Sequence, residues 1–243
     1  MMHIHPTLLL RAYALGVFPM SDDRAARDIY WVEPKKRAIM PLDGFHLSHS
    51  LARTIRRERF AVTADRAFAD VIALCAESAP DRPTTWINDP IERAYGELHR
   101  LGFAHSVECW LDGVLVGGLY GVSLGRAFFG ESMFSRATDA SKVAMAWLVA
   151  RMRWAGFTLL DCQFMTSHLR SLGAVEVTQK RYQSLLAGAL DGVPLGDETA
   201  LLSAGPGDWA AAAFAPLADL SPTLTVSGPV SGHSIAQLLT QTS

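Results

Sequence analysis

The sequence SVECWL-DG-VLVGGLYGV, residues 106–122, predicts a β-hairpin. Residues 106–111 and 114–122 are rich in β-branched, aromatic and aliphatic side chains, and Asp112-Gly113 between them favours a tight hairpin turn. After a second turn, residues 127–133 are expected to form a third strand. Together these strands predict an antiparallel meander.

The segments after the meander alternate between helix and strand. We expect a helix from Asp139 to Ala155, ended by Gly156, then a strand over 157–161 and a short helix over 167–172. Helices are also expected upstream, over 8–15 with Thr7 as cap, over 50–59 with Ser50 as cap, over 66–77, and from Asp89-Pro90 to Leu101. A meander followed by strand–helix repeats is an α+β order, and it is also the order of the acetyltransferase (GNAT-like) superfamily.

Three segments are expected along the chain. Residues 1–63 are expected to form a small N-terminal α/β domain, and residues 64–184 a domain with the GNAT-like order of elements. Residues 185–243 are rich in Ala, Gly, Pro and Ser and predict a tail that is partly disordered, although part of it can pack as a short helix.

Composition excludes several classes of protein. No uninterrupted apolar run reaches about 18 residues, so we expect no membrane span. No secretory signal is evident at the start, and the three cysteines are far apart, which favours a cytoplasmic protein over a disulfide framework. The eight histidines form no metal-binding motif, so no metal is expected.

Positive charge is clustered, although the formal net charge is −2. Such a cluster attracts polyanions, and a solvated helix face explains it about as well. The clustered residues are Lys35, Lys36, Arg37, Arg53, Arg56, Arg57 and Arg59.

Asp161 and Gln163 follow an apolar strand and are candidates for chemistry. Alternation along a strand places both on one face and Cys162 on the other. A carboxylate beside an amide can orient an amine and accept its proton. The simpler alternative is an aspartate that binds the backbone of the next loop.

Glu131 is a second candidate because it lies within the aromatic run FFGESMF, residues 128–134. A buried carboxylate needs a partner, which can be a cationic ligand such as an Arg or Lys of an acceptor peptide. An internal salt bridge to Arg126 or Arg136 is the alternative. Cys162 is a weak candidate nucleophile, since it faces away from Asp161.

The segment 135–140, SRATDA, contains no glycine. A conventional GNAT enzyme has a glycine-rich loop there whose backbone N–H groups hold the coenzyme A pyrophosphate. We therefore expect a different carrier of the acyl group and no cofactor.

Several motifs together resemble the leucyl/phenylalanyl-tRNA–protein transferase family. They are GGLYGV (117–122), GESMFS (130–135), ASK (140–142), DCQ (161–163) and SLGA (171–174), preceded by AY (12–13), GVFP (16–19), WI (86–87) and AHSVE (104–108). The resemblance covers about residues 8–182, whereas residues after about 187 match nothing in the family.

The resemblance implies a GNAT-like domain behind a small N-terminal domain, and an activity without metal or cofactor. The enzyme would move Leu, Phe and less readily Met from aminoacyl-tRNA to proteins that begin with Arg or Lys, marking them for N-end rule degradation. We expect a cytoplasmic protein that is a monomer.

The resemblance also implies roles for individual residues. Asp161 and Gln163 would help to activate the acceptor amine, and Glu131 would hold the substrate. The side chain of the donor amino acid would lie against Leu119, Phe128, Gly130 and Leu160. The terminal adenosine of the tRNA would lie near Tyr13, Trp31, Trp86 and Tyr95. The phosphates of the tRNA acceptor stem would contact Arg53, Arg56, Arg57 and Arg59.

Two other hypotheses stay open on the sequence. One is an N-acetyltransferase that uses coenzyme A, which the missing glycine loop disfavours. The other is a tRNA-binding module without catalytic activity, in which Asp161 and Gln163 could be replaced without effect.

Overall fold

The computed structural model describes residues 3–78, 84–215 and 231–240. Ten helices are present over these residues, named here in chain order. They are α1 (Pro6–Ala14), α2 (His49–Arg56), α3 (Phe68–Ala76), α4 (Asp89–Arg100), α5 (Ala140–Ala155), α6 (Ser167–Ser171), α7 (Gln179–Ala189), α8 (Glu198–Ala204), α9 (Asp208–Phe214) and α10 (Gly232–Thr240). None of the helices in the described part of the chain is long and apolar enough to cross a membrane.

Nine strands in the same residues form two sheets. They are β1 (Phe18–Met20), β2 (Tyr30–Val32), β3 (Lys36–Ile39), β4 (Ala61–Ala64), β5 (Ala104–Leu111), β6 (Val114–Leu124), β7 (Ala127–Ser135), β8 (Leu159–Gln163) and β9 (Val175–Thr178). β1 and β2 pair with each other, and the other seven lie in the order β4-β5-β6-β7-β8-β3-β9. Only the β7–β8 pair is parallel among these seven. The predicted α+β class is confirmed.

Neighbouring residues of the central strands belong to two different apolar cores. Leu119 and Phe128 pack with α5, whereas Tyr120 and Phe129 pack with side chains of α1, α3 and α4. Because successive strand residues point to opposite faces, the two cores cover the two sides of the sheet. The sheet is therefore the middle layer of three.

The hairpin predicted over 106–122 is present. Asp112 and Gly113 both have positive φ, 50° and 78°, as a type I′ turn requires. The helix predicted from Asp139 is α5, and Gly156 with a φ of 80° ends it as expected. In the hairpin and in α5, the structure favoured by the local sequence is the one that the tertiary structure adopts.

Three predicted helix caps differ by one or two residues from the observed ones. Ser48 rather than Ser50 caps α2, and Asn88 rather than Asp89 caps α4. Pro6 begins α1, and the Thr7 hydroxyl donates to Glu198 instead of capping. At α2 and α4 two cap-forming residues lie within two positions of each other, whereas at α1 the chain begins the helix at Pro6 with no side-chain cap.

β3 lies between β8 and β9 in the main sheet, although residues 1–63 were expected to form a separate unit. The division into domains stays a prediction.

The described part of the tail packs against the helices on both sides of the main sheet. Leu201 of α8 is buried in the core beside α1, and Ala210, Ala213 and Leu239 are buried on the α5 side. Over these residues the tail is packed rather than loosely held, because its alanines and leucines lie on the buried faces of short helices. The rest of the predicted tail, 216–230 and 241–243, lies outside the described residues.

Candidate active site

Glu131 lies at an irregularity of the β6–β7 pair. Tyr120 pairs with Ser132 and Gly121 with Gly130, so Glu131 is an extra residue without a partner on β6. This arrangement is a β-bulge, which redirects a side chain locally. The bulge turns Glu131 toward the core that contains Tyr13 and Tyr95.

Three neutral donors hold the Glu131 carboxylate. Tyr13 Oη donates to Oε1 at 2.7 Å, Tyr95 Oη donates to Oε2 at 2.8 Å, and Gln163 Nε2 donates to Oε1 at 2.7 Å. The two tyrosine hydroxyl oxygens are also in contact with each other. Because each hydroxyl has only one proton, a hydrogen bond between them takes the place of one of the bonds to the Glu131 carboxylate. Arg126 and Arg136, suggested as salt-bridge partners, bind Gly156 and Glu77 instead.

Burial raises the pKa of Glu131 from 4.5 to about 7, even though the bonds from Tyr13 and Tyr95 lower it. The negative charge of Asp161 adds to the rise. Only 8% of Glu131 is exposed. Near neutral pH this carboxyl can therefore exist in both protonation states, which suits a group that exchanges a proton or binds a cation.

The carboxylate of Asp161 has all its bonding capacity used. Arg37 Nε donates to its two oxygens at 2.9 and 3.0 Å, and Arg37 Nη2 donates to Oδ2 at 2.5 Å. Tyr182 Oη donates to Oδ2 at 2.9 Å, and the backbone N–H of Gln163 donates to Oδ1 at 2.8 Å. Since Asp161 is also fully buried, its geometry suits positioning better than proton transfer.

Gln163 connects Asp161 to Glu131. Its φ is 60°, in the left-handed region that few residues other than glycine adopt. The bond from its backbone N–H to the Asp161 side chain, two residues back, stabilises this turn. With this backbone, the side-chain amide reaches Glu131 on β7. Residues held in such sparsely populated backbone conformations often lie at functional sites.

The charge of Arg37 is enclosed by aromatic rings. Its Cζ lies 4.9 Å from the Phe18 ring centroid and 4.4 Å from that of Tyr182, and its Nη1 donates to the Gly16 carbonyl at 2.8 Å. Arg37 was expected to belong to a cluster of positive charge that attracts polyanions, which is wrong, because only 1% of Arg37 is exposed. Tyr182 was not predicted as a site residue, because nothing in the sequence around it indicates a contact with Arg37.

A model of the family described as Leucyl/phenylalanyl-tRNA protein transferase matches residues 39–187, and one of the N-terminal domain of that family matches residues 2–35. The chain belongs to this family. A leucyl/phenylalanyl-tRNA–protein transferase from Rhizorhabdus wittichii is 61% identical over 248 residues, which cover 99% of both chains. One from Zymomonas mobilis is 64% identical over 77% of this chain and 70% of its own.

Most residues of this site lie in the two stretches that match the leucyl/phenylalanyl-tRNA–protein transferase family. Tyr13 lies in the N-terminal match, and Tyr95, Glu131 and Asp161 lie in the longer one. Among solved structures, a crystal structure of FemX is similar, with 13% identity, a TM-score of 0.48 and coverage of 72% of this chain and 69% of that one.

The four aromatic residues expected near the adenosine lie in different surroundings. Tyr13 and Tyr95 are fully buried, so they offer no free ring face for stacking and instead hold Glu131. Trp31, on β2, is 39% exposed, and Trp86 is half-buried. The stacking role expected for the two tyrosines is therefore not available in this structure.

The expected donor pocket lies on the α5 side of the sheet. Leu119, Phe128 and Leu160 belong to the core there, with 2%, 0% and 0% exposure. Gly130 is partly exposed, and a Cβ on it would lie 3.9 Å from Leu160 Cδ1. Among the cavities formed by the described residues, one of about 720 Å³ is lined by Leu160 but by none of the other three residues, and one of about 620 Å³ lies between α3 and α4.

Arg53, Arg56, Arg57 and Arg59 are all exposed, at or just after the end of α2. Leu51, Ala52 and Ile55 of the same helix are buried, so the arginines occupy its solvent side. They remain together as a positively charged surface, without Arg37.

Cys162 packs on the opposite side of β8 from the partners of Asp161, as alternation predicts. Burial and the charge of Asp161 both raise the pKa of its thiol. A thiol in this environment is a poor nucleophile at neutral pH.

Proposed function

We propose that this chain transfers leucyl or phenylalanyl, and less readily methionyl, groups from aminoacyl-tRNA to proteins with N-terminal Arg or Lys. The observation that carries the proposal is the buried carboxylate of Glu131, bonded only by neutral donors among the described residues and therefore suited to a cationic substrate. The family relationship supports the same activity.

The chemistry follows from the ester bond of the donor. The acceptor amine attacks the carbonyl carbon of the aminoacyl ester, a C–N bond forms, and the bond to the ribose oxygen breaks. The amine loses a proton in this sequence, and the released ribose oxygen gains one. Because the ester is already activated, holding the amine and the carbonyl in contact supplies much of the acceleration.

Glu131, Gln163 and Asp161 have separate roles in this proposal. Glu131, with a pKa of about 7, binds the cationic end of the acceptor and can take up its proton. Gln163 uses its Nε2 for Glu131, so its carbonyl oxygen is the group that orients the amine N–H. Asp161 fixes the turn at Gln163 and is a positioning residue.

Other residues bind the tRNA and the side chain of the donor amino acid in this proposal. The exposed arginines 53, 56, 57 and 59 contact phosphates of the acceptor stem, Trp31 and Trp86 border the terminal adenosine, and Leu119, Phe128, Gly130 and Leu160 border the donor side chain. The enzyme works as a monomer in the cytoplasm and marks acceptors for degradation.

The test is a transfer assay with purified full-length protein. Labelled Leu, Phe or Met on tRNA is offered to a model protein that begins with Arg, in the presence of EDTA and without coenzyme A. The control acceptor is identical but begins with Gly. We expect label on the Arg protein only. Absence of transfer from all three donors by folded enzyme would reject the proposal.

A further inference from the structure

The tail contributes an aromatic ring to the core around Phe128. Phe214, the last residue of α9, lies with its ring centroid 5.5 Å from that of Phe128 at an interplanar angle of 26°. It also stacks on His105 at 4.0 Å and 7°. Phe214 lies beyond residue 187, where the match to the family model ends.

Phe214 is held firmly in this position. Arg151 of α5 is 2% exposed, and its Nη1 donates to the carbonyls of Ala213 and Ala215 at 2.7 and 3.1 Å. These carbonyls flank Phe214 at the end of α9, where a helix leaves acceptors free and favours a cation. The other end of α9 is anchored by Trp209, whose ring lies 4.9 Å from Cζ of Arg126.

Phe128 is confined by the backbone as well as by Phe214. A Cβ at Gly121 would collide with Cε1 of the Phe128 ring, so the ring lies directly over this glycine. With Gly121 on β6 and Phe214 on α9 both in contact, the Phe128 ring has little room to turn.

The residues expected around the donor side chain are almost completely covered, since Leu119, Phe128 and Leu160 are at most 2% exposed. A leucyl or phenylalanyl side chain can enter among them only if one of them moves. Phe128 is the largest of the three, and the space it can move into is limited by Phe214. The tail therefore sets how far this pocket can open.

We infer that Phe214 is a specificity-determining residue, which limits the depth of the donor side-chain pocket through its contact with Phe128. The inference rests on the proposed function, in which Phe128 borders the side chain of the transferred amino acid. Phe214 acts through Phe128 and is thus a positioning residue rather than a catalytic one.

Replacement of Phe214 by a smaller residue leaves space behind Phe128. The kcat/KM for donors with a larger side chain should therefore rise relative to that for donors with a smaller one. A single methylene in an apolar pocket changes discrimination by about 10- to 200-fold. For Phe214→Ala we expect the ratio of kcat/KM for phenylalanyl-tRNA to that for leucyl-tRNA to rise by about 10-fold or more. Phe214→Leu, which keeps most of the volume, should give a smaller rise in the same direction.

The experiment measures kcat/KM for Leu, Phe and Met donors with full-length wild-type protein, Phe214→Ala, Phe214→Leu and the control Leu201→Ala. Leu201 is also a buried tail residue, but it belongs to the other core. Circular dichroism and thermal unfolding show which variants fold. If Phe214→Ala does not fold, the comparison with wild type is made with Phe214→Leu. A folded Phe214 variant with wild-type donor ratios would overturn the inference, as would an equal change of ratios in Leu201→Ala.

A binding measurement separates this inference from the proposed function. The affinities of 3′-leucylamido-adenosine and 3′-phenylalanylamido-adenosine, which cannot transfer their amino acid, are determined by calorimetry for the same variants. If wild-type protein transfers nothing, the proposed function fails, and the ratio of the two dissociation constants alone decides about Phe214. A ratio that shifts toward the phenylalanyl compound supports the inference, whereas an unchanged ratio or no binding of either compound rejects it.

Discussion

Arg37 and Asp161 form a buried ion pair in which Nη2 and Oδ2 are 2.5 Å apart, with side-chain exposures of 1% and 0%. The two residues are separated by 124 positions in the sequence and lie on the paired strands β3 and β8. A buried pair of this kind contributes little over an apolar pair, but loss of one partner leaves an uncompensated charge. The pair therefore ties the position of β8, and so of Gln163, to β3.

Replacement of Arg37 tests this relationship. Arg37→Ala leaves the Asp161 carboxylate buried without its cation, and we expect a loss of about 3–5 kcal/mol in the free energy of unfolding. The matched control is Lys36→Ala on the same strand, where the side chain is exposed and the change should stay within about 0.5 kcal/mol. Urea unfolding followed by circular dichroism measures both. Equal stabilities of the two variants would contradict a structural role for the pair.

The raised pKa of Glu131 predicts a dependence of stability on pH. Because the folded protein holds this proton up to about pH 7 and the unfolded chain releases it near pH 4.5, the contribution to stability is complete at low pH and declines as pH rises between these values. The decline amounts to about 3 kcal/mol. Glu131→Gln lacks the titrating group, so its unfolding free energy should fall less over this range. The measurement is urea unfolding of both proteins from pH 4.5 to 8, and parallel curves would show that the pKa of Glu131 is not raised.

The tyrosine hydroxyls predict the direction of a shift in the activity profile. Their bonds lower the pKa of Glu131, so Tyr95→Phe should raise it, by about one pKa unit for one hydrogen bond to a charged group. Under the proposed function, kcat/KM increases with pH as Glu131 ionises, and the midpoint of this increase should move upward in Tyr95→Phe.

The control for this profile is Tyr30→Phe, which removes a hydroxyl from a tyrosine that is 45% exposed. Its midpoint should equal that of the wild type. Titration of the acceptor amine affects all variants alike, so only the difference between variants reports on Glu131. A midpoint that stays constant or falls in Tyr95→Phe would argue against the hydrogen bond.

The exposed arginines of α2 predict a change in the salt dependence of tRNA binding. Removal of one phosphate contact lowers the slope of log K against log salt concentration by about 0.7–0.9. We expect this decrease for Arg53→Ala and for Arg56→Ala in filter-binding titrations. Arg100→Ala on α4 is the control, because this exposed arginine belongs to a helix that packs against the other face of the sheet. An unchanged slope in both α2 variants would place the RNA elsewhere.

The parts of the fold that were predicted from sequence share one property, which is that neighbouring residues specify them. The turn at Asp112-Gly113, the helix that ends at Gly156 and the opposite orientations of Asp161 and Cys162 depend on residues a few positions apart. The family motifs likewise pointed to Glu131, Asp161 and Gln163, which the structure brings into one hydrogen-bonded network.

The sequence by itself determined the α+β order, the central meander and the identity of the polar residues Glu131, Asp161 and Gln163. Only the tertiary structure decided their partners: Arg37 for Asp161, and Tyr13 and Tyr95 for Glu131. It also placed Phe214 against Phe128. The physical reason is that local periodicity shows which face of a strand is buried, whereas the contact between faces far apart in the chain depends on how whole strands and helices pack together.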